Sequence, residues 1–263
     1  MAADILDRIV AHKKDEVAAC RTQTPLSVLK DQARTKTANR RSFYEALARP
    51  ADQVRIIAEI KRASPSKGDI SAGLDPAGLA QAYERGGAAA LSVLTDRAFF
   101  KGGPADLLAA RNACSLPVLR KDFVISDYQI YEAAAWDADA VLLIVRILSK
   151  QQLSEFSGLC NELGIDALVE VHTEADLEAA IDAGASVIGI NNRNLASFDT
   201  DIETAMSLSA KLGAGQIAVA ASGISSRKDI EQNLKAGISR FLIGESLVAA
   251  DDPEKFLTRL IGG

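Results

Sequence analysis

Two side chains of opposite charge lie two residues apart in an apolar stretch of the chain. Residues 56–61 read Ile-Ile-Ala-Glu-Ile-Lys and lead into a Ser-Pro-Ser-Lys-Gly loop at residues 64–68. Side chains alternate along a strand, so Glu59 and Lys61 are predicted to share one face. A charge inside a buried strand is costly unless it is paired or has a function. These residues alone leave two interpretations open, a structural ion pair at a strand end or part of an acid–base site.

Other strand-like runs also end in charged or polar residues. The third run leads to Lys121, the fifth contains Glu170, and the sixth is followed by Asn191 and Arg193. If these ends meet, two lysines and two glutamates share one site and move one another's pKa values apart, which supplies an acid and a base at one pH. No Ser/His/Asp set accompanies them. A metal cluster is disfavoured because the lysines would neutralise the carboxylates.

The elements that must position these residues alternate between strand and helix from residue 55 onwards. Strands are predicted at 56–60, 89–94, 117–119, 138–144, 166–171, 187–190, 217–221 and 241–243, and helices at 75–85, 105–114, 126–136, 150–163, 173–183, 201–212, 226–236 and 253–260. This alternation predicts an all-parallel sheet. Eight such units favour a (β/α)8 TIM barrel in the α/β class. An open, doubly wound sheet is the alternative, but no G-x-G-x-x-G motif follows the first strand.

Residues 1–50 are predicted to form an N-terminal helical extension of one barrel domain that spans 1–263. Apolar residues recur there at helical spacing, and residues 13–16 are expected on the solvent side of the first helix. A second helix is predicted near 26–33. A third is predicted at 43–48, with Ser42 as its N-cap.

The last two strand ends have the features of an anion site. Barrels of this kind bind their ligands at the C-terminal ends of the strands, often with phosphate after strands seven and eight. Ser222 and Gly223 follow the seventh strand, and Gly244 precedes a short helical turn after the eighth. Backbone N–H groups at such turns attract anions. Ser64 could add a hydrogen-bond donor. The alternative to an anion site is that Gly223 and Gly244 serve only as turn residues.

Apolar side chains near the same strand ends would give the mouth a non-polar wall. They are Phe99, Phe100, Phe123, Leu142, Ile144 and Leu195. Because the rest of the chain has few aromatic residues, this group suits a flat aromatic substrate.

Composition excludes several classes of protein. The chain of 263 residues has a net charge of −5 and scattered basic residues, which argues against a nucleic-acid binder. No apolar run reaches the ~18 residues of a membrane span, and no secretory signal is expected. The 3 cysteines are far apart, without a CxxC pair, which is typical of a reducing cytoplasm.

The motifs together resemble the indole-3-glycerol phosphate synthase family of tryptophan biosynthesis over essentially the whole chain. The residues that match lie at 59–66, 92–96, 99–102, 121–123, 142–145, 168–171, 190–193 and 241–244. The resemblance implies a lyase that acts on 1-(2-carboxyphenylamino)-1-deoxyribulose 5-phosphate, a small phosphorylated anthranilate sugar. The products would be indole-3-glycerol phosphate, carbon dioxide and water. No metal and no organic cofactor are expected, and the protein is expected to be a monomer with at most weak association.

The resemblance also implies a role for each site residue. Lys121 matches a general acid at the substrate's ketone oxygen, Glu170 a general base and Glu59 a second carboxylate. Lys61 matches a lysine that assists dehydration, and Asn191 and Arg193 match residues that orient the substrate. Ser64, Ser222, Gly223 and Gly244 match the residues that hold the phosphate, and Glu245 is a further expected substrate contact. The expected contacts along the walls are Phe100, Phe123, Leu142, Ile144 and Leu195.

One position departs from the family pattern. The family usually reads Glu-Ser-Gly-Ile after the seventh strand, whereas this chain has Ala221 before Ser222. The chain is therefore an engineered variant, a natural variant with compensation, or a paralogue with altered chemistry. A non-catalytic binder of the same ligand is the alternative function. A related phosphoribosylanthranilate isomerase is disfavoured, because that chemistry needs a cysteine at a strand end, while Cys114 and Cys160 fall in predicted helices.

Overall fold

A closed barrel of eight parallel strands forms the centre of the protein. The computed structural model describes residues 5–36, 39–48, 53–65, 67–71, 73–193 and 203–262. In chain order the strands are β1 (Arg55–Ile60), β2 (Ala63–Ser64), β3 (Gly68–Asp69), β4 (Ala90–Leu94), β5 (Val118–Lys121), β6 (Ala140–Ile144), β7 (Asp166–Val171), β8 (Val187–Asn191), β9 (Ile217–Ala221) and β10 (Arg240–Ile243). β2 and β3 pair separately as a small antiparallel hairpin, and the other strands close the barrel between β1 and β10. The predicted TIM barrel is confirmed.

Helices surround the barrel and precede it. They are α1 (Ile5–Gln23), α2 (Leu26–Thr35), α3 (Phe43–Leu47), α4 (Pro76–Arg85), α5 (Pro104–Ala113), α6 (Asp127–Ala135), α7 (Lys150–Leu163), α8 (Glu174–Asp182), α9 (Glu203–Ser209), α10 (Arg227–Lys235), α11 (Glu245–Val248) and α12 (Pro253–Ile261). Side-chain hydrogen bonds cap the N-termini of several of these helices. Ser149 and Thr173, for example, each form a capping box. Among the described residues, no helix combines the length and the apolar character needed to cross a bilayer.

Strand alternation divides the core into two layers. On β1, Ile56, Ala58 and Ile60 face the surrounding helices, whereas Ile57 faces the barrel interior. Glu59 is two residues beyond Ile57 and so shares the interior face. This places its carboxylate at the top of the barrel interior, above the apolar layers.

The N-terminal extension covers both ends of the barrel. Phe43 and Leu47 of α3 are fully buried and join the interior cluster at the N-terminal ends of the strands. Ser42 caps α3 by accepting a hydrogen bond of 3.0 Å from the backbone N–H of Glu45, as predicted. At the opposite end, α1 lies over the mouth and adds Ile5 to its lining.

The prediction that residue 13 faces solvent is wrong. Lys13 is only 1 % exposed, although it lies among the charged residues of α1. The reason is helical periodicity, because Ile5, Ile9 and Lys13 are each four residues apart and therefore lie on one face of the helix. That face is turned towards the barrel, so charge composition alone gave the wrong side.

Candidate active site

A cavity at the C-terminal ends of the strands brings together most of the predicted site residues. Its lining includes Glu59, Lys61, Ser64, Phe100, Lys121, Phe123, Leu142, Ile144, Glu170, Asn191, Arg193 and Ser222. An adjoining depression shares part of this wall and is also lined by Gly223, Gly244 and Glu245. Leu195 lies outside the described residues.

Glu59 is the centre of the charged group. Its Oε1 lies 3.0 Å from Lys61 Nζ and its Oε2 lies 3.7 Å from Lys121 Nζ, while the Ser92 hydroxyl donates to Oε2 at 3.3 Å. Burial alone would raise the pKa of this carboxyl, but the two ammonium groups outweigh burial and hold its pKa below the usual range. Glu59 is therefore an anion that links two cations.

Lys121 is held in its protonated form by the carboxylates around it. Burial would lower the pKa of this amine, but Glu59, Glu170 and Asp122 raise it above the ordinary value. The side chain is still 21 % exposed, towards the mouth. It can therefore offer a proton to an electrophilic oxygen in the cavity.

A second chain of contacts runs along β8. The Asn191 amide donates to Glu170 Oε1 at 3.3 Å, and Asn191 Oδ1 accepts the backbone N–H of Arg193 at 3.0 Å. The Arg193 guanidinium lies 3.3 Å from Glu245 Oε1, which is also 3.9 Å from Lys61 Nζ. The polar groups at the ends of β1, β7 and β8 and at the start of α11 thus form one continuous rim.

The turn after β9 has the backbone shape of an anion cradle. Ser222 and Gly223 both have left-handed φ values, 67° and 78°. That conformation is strained for Ser222 and is held in part by the Asn192 amide, which donates to the Ser222 carbonyl at 3.1 Å. Successive N–H groups in such a turn point into a concave surface and bind anions.

Gly244 allows the neighbouring turn to approach Glu59 closely. A Cβ at this position would lie 2.7 Å from Glu59 Oε1, which is closer than real contacts allow. The absence of a side chain at residue 244 is therefore needed for the position of the Glu59 carboxylate. The sequence predicted only the backbone role of this glycine at an anion site.

The non-polar wall agrees with the prediction at four described positions and differs at Phe99. Phe100 and Phe123 have ring centroids 6.0 Å apart, and Leu142 and Ile144 line the same cavity. The Phe99 ring instead packs edge-on against His12 of α1, with centroids 5.7 Å apart. The backbone turn at Asp96 sends adjacent phenylalanines in different directions.

Several residues that the sequence analysis did not assign also belong to this region. Ile5, Leu6 and Ile9 of α1 line the cavity, and the helical spacing of these residues was the available signal. His172 Nε2 lies 3.7 Å from Glu170 Oε1, with a side chain that is only 7 % exposed. Period-2 alternation carried past the end of β7 would have predicted this neighbour.

Ala221 lies within the cavity wall and is 8 % exposed. It pairs in register with Asn191 on β8 and with Leu242 on β10. Its methyl group thus stands between the polar rim and the anion turn. A carboxylate at this position would enter the same charged group as Glu59 and Glu170.

Comparison with known protein families gives a match over nearly the whole chain. The family model described as "Indole-3-glycerol phosphate synthase" matches residues 6–260. An indole-3-glycerol phosphate synthase of Desulfosudis oleivorans is 57% identical over 261 residues, which cover 98% of this chain and 99% of that protein. One of Syntrophobacter fumaroxidans is 50% identical and covers 99% of this chain and 98% of its own length.

Solved structures of lower sequence identity share the barrel. A thiamine phosphate pyrophosphorylase from Pyrococcus furiosus superposes with a TM-score of 0.59 at 15% identity, covering 80% of this chain and 95% of its own. An N-acetylmannosamine-6-phosphate 2-epimerase from Clostridium perfringens gives a TM-score of 0.60 at 13% identity, covering 83% and 95%. At this identity the likeness concerns the fold alone.

Proposed function

This chain belongs to the indole-3-glycerol phosphate synthase family, and we propose that it closes the indole ring of 1-(2-carboxyphenylamino)-1-deoxyribulose 5-phosphate. The reaction releases carbon dioxide and water and yields indole-3-glycerol phosphate. The observation that carries the proposal is the meeting of Lys61 and Lys121 with Glu59 in one cavity beside an anion turn.

Lys121 is the proposed acid for ring closure. The aromatic carbon that bears the carboxylate attacks the ketone carbon, and the ketone oxygen needs a proton as its charge develops. A positioned acid typically contributes about 10²–10⁴-fold in rate. The raised pKa of Lys121 favours this role, since the amine remains charged while it approaches the oxygen.

Glu59, Lys61 and Glu170 are the proposed groups for the later steps. Loss of carbon dioxide needs only the electron sink of the cyclised cation. Loss of water then needs an acid for the departing hydroxyl and a base for a proton on carbon. Lys61, 3.0 Å from Glu59, is suited to the first task, and Glu170 to the second.

The remaining contacts are proposed to orient the substrate. Asn191 fixes the Glu170 carboxylate by its hydrogen bond, and Arg193 supplies a cation at the rim. We propose that Ser64, Ser222, Gly223 and Gly244 bind the phosphate and that Glu245 is a further substrate contact. The side chains proposed to contact the anthranilate ring all line the cavity: Phe100, Phe123, Leu142 and Ile144. The predicted contact of Leu195 concerns a residue outside the described part of the chain.

We further propose that the enzyme acts as a cytoplasmic monomer. The three cysteines are free thiols, which supports a reducing compartment. The cavity gathers Glu59, Lys61, Lys121 and Glu170 from a single chain, which supports a site built within one subunit.

Ala221 supports a second candidate function, a binder of the same ligand that turns it over slowly or not at all. The methyl group replaces a carboxylate that the family pattern has beside the reacting groups. An enzyme and a binder would both bind the ligand, but only the enzyme would form the product at an appreciable rate.

Turnover of the purified chain tests the proposed function. With the synthetic substrate we expect indole absorbance to rise while carbon dioxide is released in equal amount. Substrate affinity by calorimetry is the control, because it reports binding without chemistry. Saturable binding with no absorbance change would support the binder and reject the synthase.

A further inference from the structure

Lys13 is a buried cation that joins α1 to two strand ends of the barrel. Its Nζ lies 2.9 Å from Asp96 Oδ2, 2.9 Å from Asp122 Oδ1 and 2.8 Å from Glu16 Oε2. Both aspartates are almost fully buried. Burial would lower the pKa of Lys13, but these carboxylates raise it above the ordinary value. The ammonium therefore remains charged beneath the helix.

Asp96, just beyond β4, holds the turn that carries one side of the aromatic wall. While Oδ2 pairs with Lys13, Oδ1 accepts the backbone N–H groups of Phe99 at 2.7 Å and of Phe100 at 3.3 Å. The position of the Phe100 ring thus depends on how this carboxylate is anchored.

Asp122, just beyond β5, holds the backbone that carries the facing ring of Phe123. Its Oδ1 accepts the backbone N–H of Phe123 at 2.8 Å and also pairs with Lys13. Its Oδ2 accepts from the Thr95 hydroxyl at 2.7 Å and from Arg120 at 3.1 Å. Asp122 is therefore fixed from the barrel side as well as from α1.

One ammonium is thus bound to the two carboxylates that hold Phe100 and Phe123. Without it, two buried anions would face each other and repel, and the turn at Asp96 would lose its cationic partner. Asp122 keeps Arg120, so we expect the Asp96 turn to move more. The distance between the two rings, now 6.0 Å, would change.

We propose that Lys13 is a positioning residue for the aromatic half of the substrate, acting through Asp96 and Asp122 on the spacing of Phe100 and Phe123. The inference rests on the proposed function, because that function gives the substrate its anthranilate ring. The Ser222–Gly223 turn, which is proposed to bind phosphate, follows β9, three strands from β4 around the barrel. Among the described residues, the ion pairs of Lys13 go to Glu16, Asp96 and Asp122 and none goes to this turn. Lys13 should therefore affect the two halves of the substrate unequally.

Binding of the two substrate halves as separate probes tests this. We compare wild type, Lys13→Met and the matched control Lys14→Met, which changes an exposed lysine of the same helix. For Lys13→Met we expect the Kd of anthranilate to rise about tenfold, the scale of losing one well-packed aromatic contact. The Kd of inorganic phosphate should stay within about twofold, and Lys14→Met should match wild type.

A second variant covers the case in which Lys13→Met does not fold. The double variant Lys13→Met with Asp96→Asn removes one buried negative charge and keeps an oxygen for the Phe99 and Phe100 N–H groups. It still lacks the link to α1, so the same selective loss of anthranilate binding is expected. With the whole substrate, KM should rise while kcat changes little, since Lys121 and Glu59 keep their contacts.

Two results would overturn the proposal. One is unchanged anthranilate affinity in the folded Lys13 variants, and the other is an equal loss of anthranilate and phosphate affinity. Failure of the proposed function is separate, because it would appear in the wild type as binding of both probes without turnover of the substrate.

Discussion

At the scale of single residues, a substitution at Ala221 tests most directly how the balance of charge in the cavity affects turnover. Asn191 and Leu242 flank its methyl group, and Glu59, Lys61 and Lys121 share the same cavity. We expect Ala221→Glu to raise kcat by about 10²-fold, the lower end of what a positioned acid or base contributes. Steady-state kinetics with the proposed substrate measure the effect.

Ala221→Gln is the matched control for that change, because it adds nearly the same volume without the charge. Its kcat should stay at or below that of the wild type. Equal kcat values for the wild type and Ala221→Glu would mean that the carboxylate has no role here. Another group would then already supply its function.

Some residues of the site could be predicted from the sequence because strand geometry fixes their direction. Glu59 follows Ile57 on the interior face, and Glu170 and Asn191 stand at comparable ends of β7 and β8. The two barrel partners of Lys13, Asp96 and Asp122, could not be predicted in this way. They lie more than 80 residues away along the chain, and the contacts depend on how α1 docks across the barrel.

At the scale of elements, the turn between β10 and α11 sets the position of Glu59. Gly244→Ala would bring a Cβ within 2.7 Å of Glu59 Oε1 and displace the carboxylate from its 3.0 Å pair with Lys61. We expect kcat to fall by about 10–100-fold, since a misplacement near 1 Å can cost about 10²-fold. The measurement is kcat together with the thermal unfolding midpoint.

Gly158→Ala is the control for this element. Gly158 lies within α7, and an added Cβ there has no neighbour within 4 Å. Alanine should stabilise that helix by about 0.5–1 kcal/mol and leave kcat unchanged. Unchanged kcat in Gly244→Ala would show that the close approach to Glu59 is not needed for turnover.

Regular elements could be predicted well, and short ones could not. Apolar runs and helix caps located the barrel strands and most of their helices to within one or two residues. The β2–β3 hairpin has strands of only two residues, which is too short for a periodic pattern. Residue 195 and residues 201–202 of the predicted ninth helix lie outside the described residues.

At the scale of the whole molecule, the extension and the barrel are joined by buried charge. Lys13 and Arg120 outweigh burial and lower the pKa of Asp122 to about 2. The pKa of Asp122 is lower in the folded protein than in the unfolded chain. The ionised carboxylate therefore stabilises the folded state fully above about pH 4, and this contribution to the free energy of unfolding is lost as the pH falls towards 2. Acid should therefore weaken the attachment of α1 together with the β5 end.

Unfolding in urea checks this linkage. Between about pH 5 and about pH 3, the free energy of unfolding of wild type should fall by about 1 kcal/mol more than that of Asp122→Asn. Asp31→Asn, at an exposed position in α2, is the control and should follow wild type. If the free energy of unfolding of Asp122→Asn falls with pH as steeply as that of wild type, the Asp122 carboxylate is not the acid-sensitive link between α1 and the barrel.

The central claim is that Lys121 donates the proton for ring closure. The most direct measurement is kcat and substrate Kd for Lys121→Met beside Lys150→Met, an exposed lysine at the start of α7. We predict that Lys121→Met lowers kcat by about 10²–10⁴-fold, with a far smaller change in Kd, while Lys150→Met behaves as wild type. A Lys121→Met variant that keeps its kcat would contradict the account.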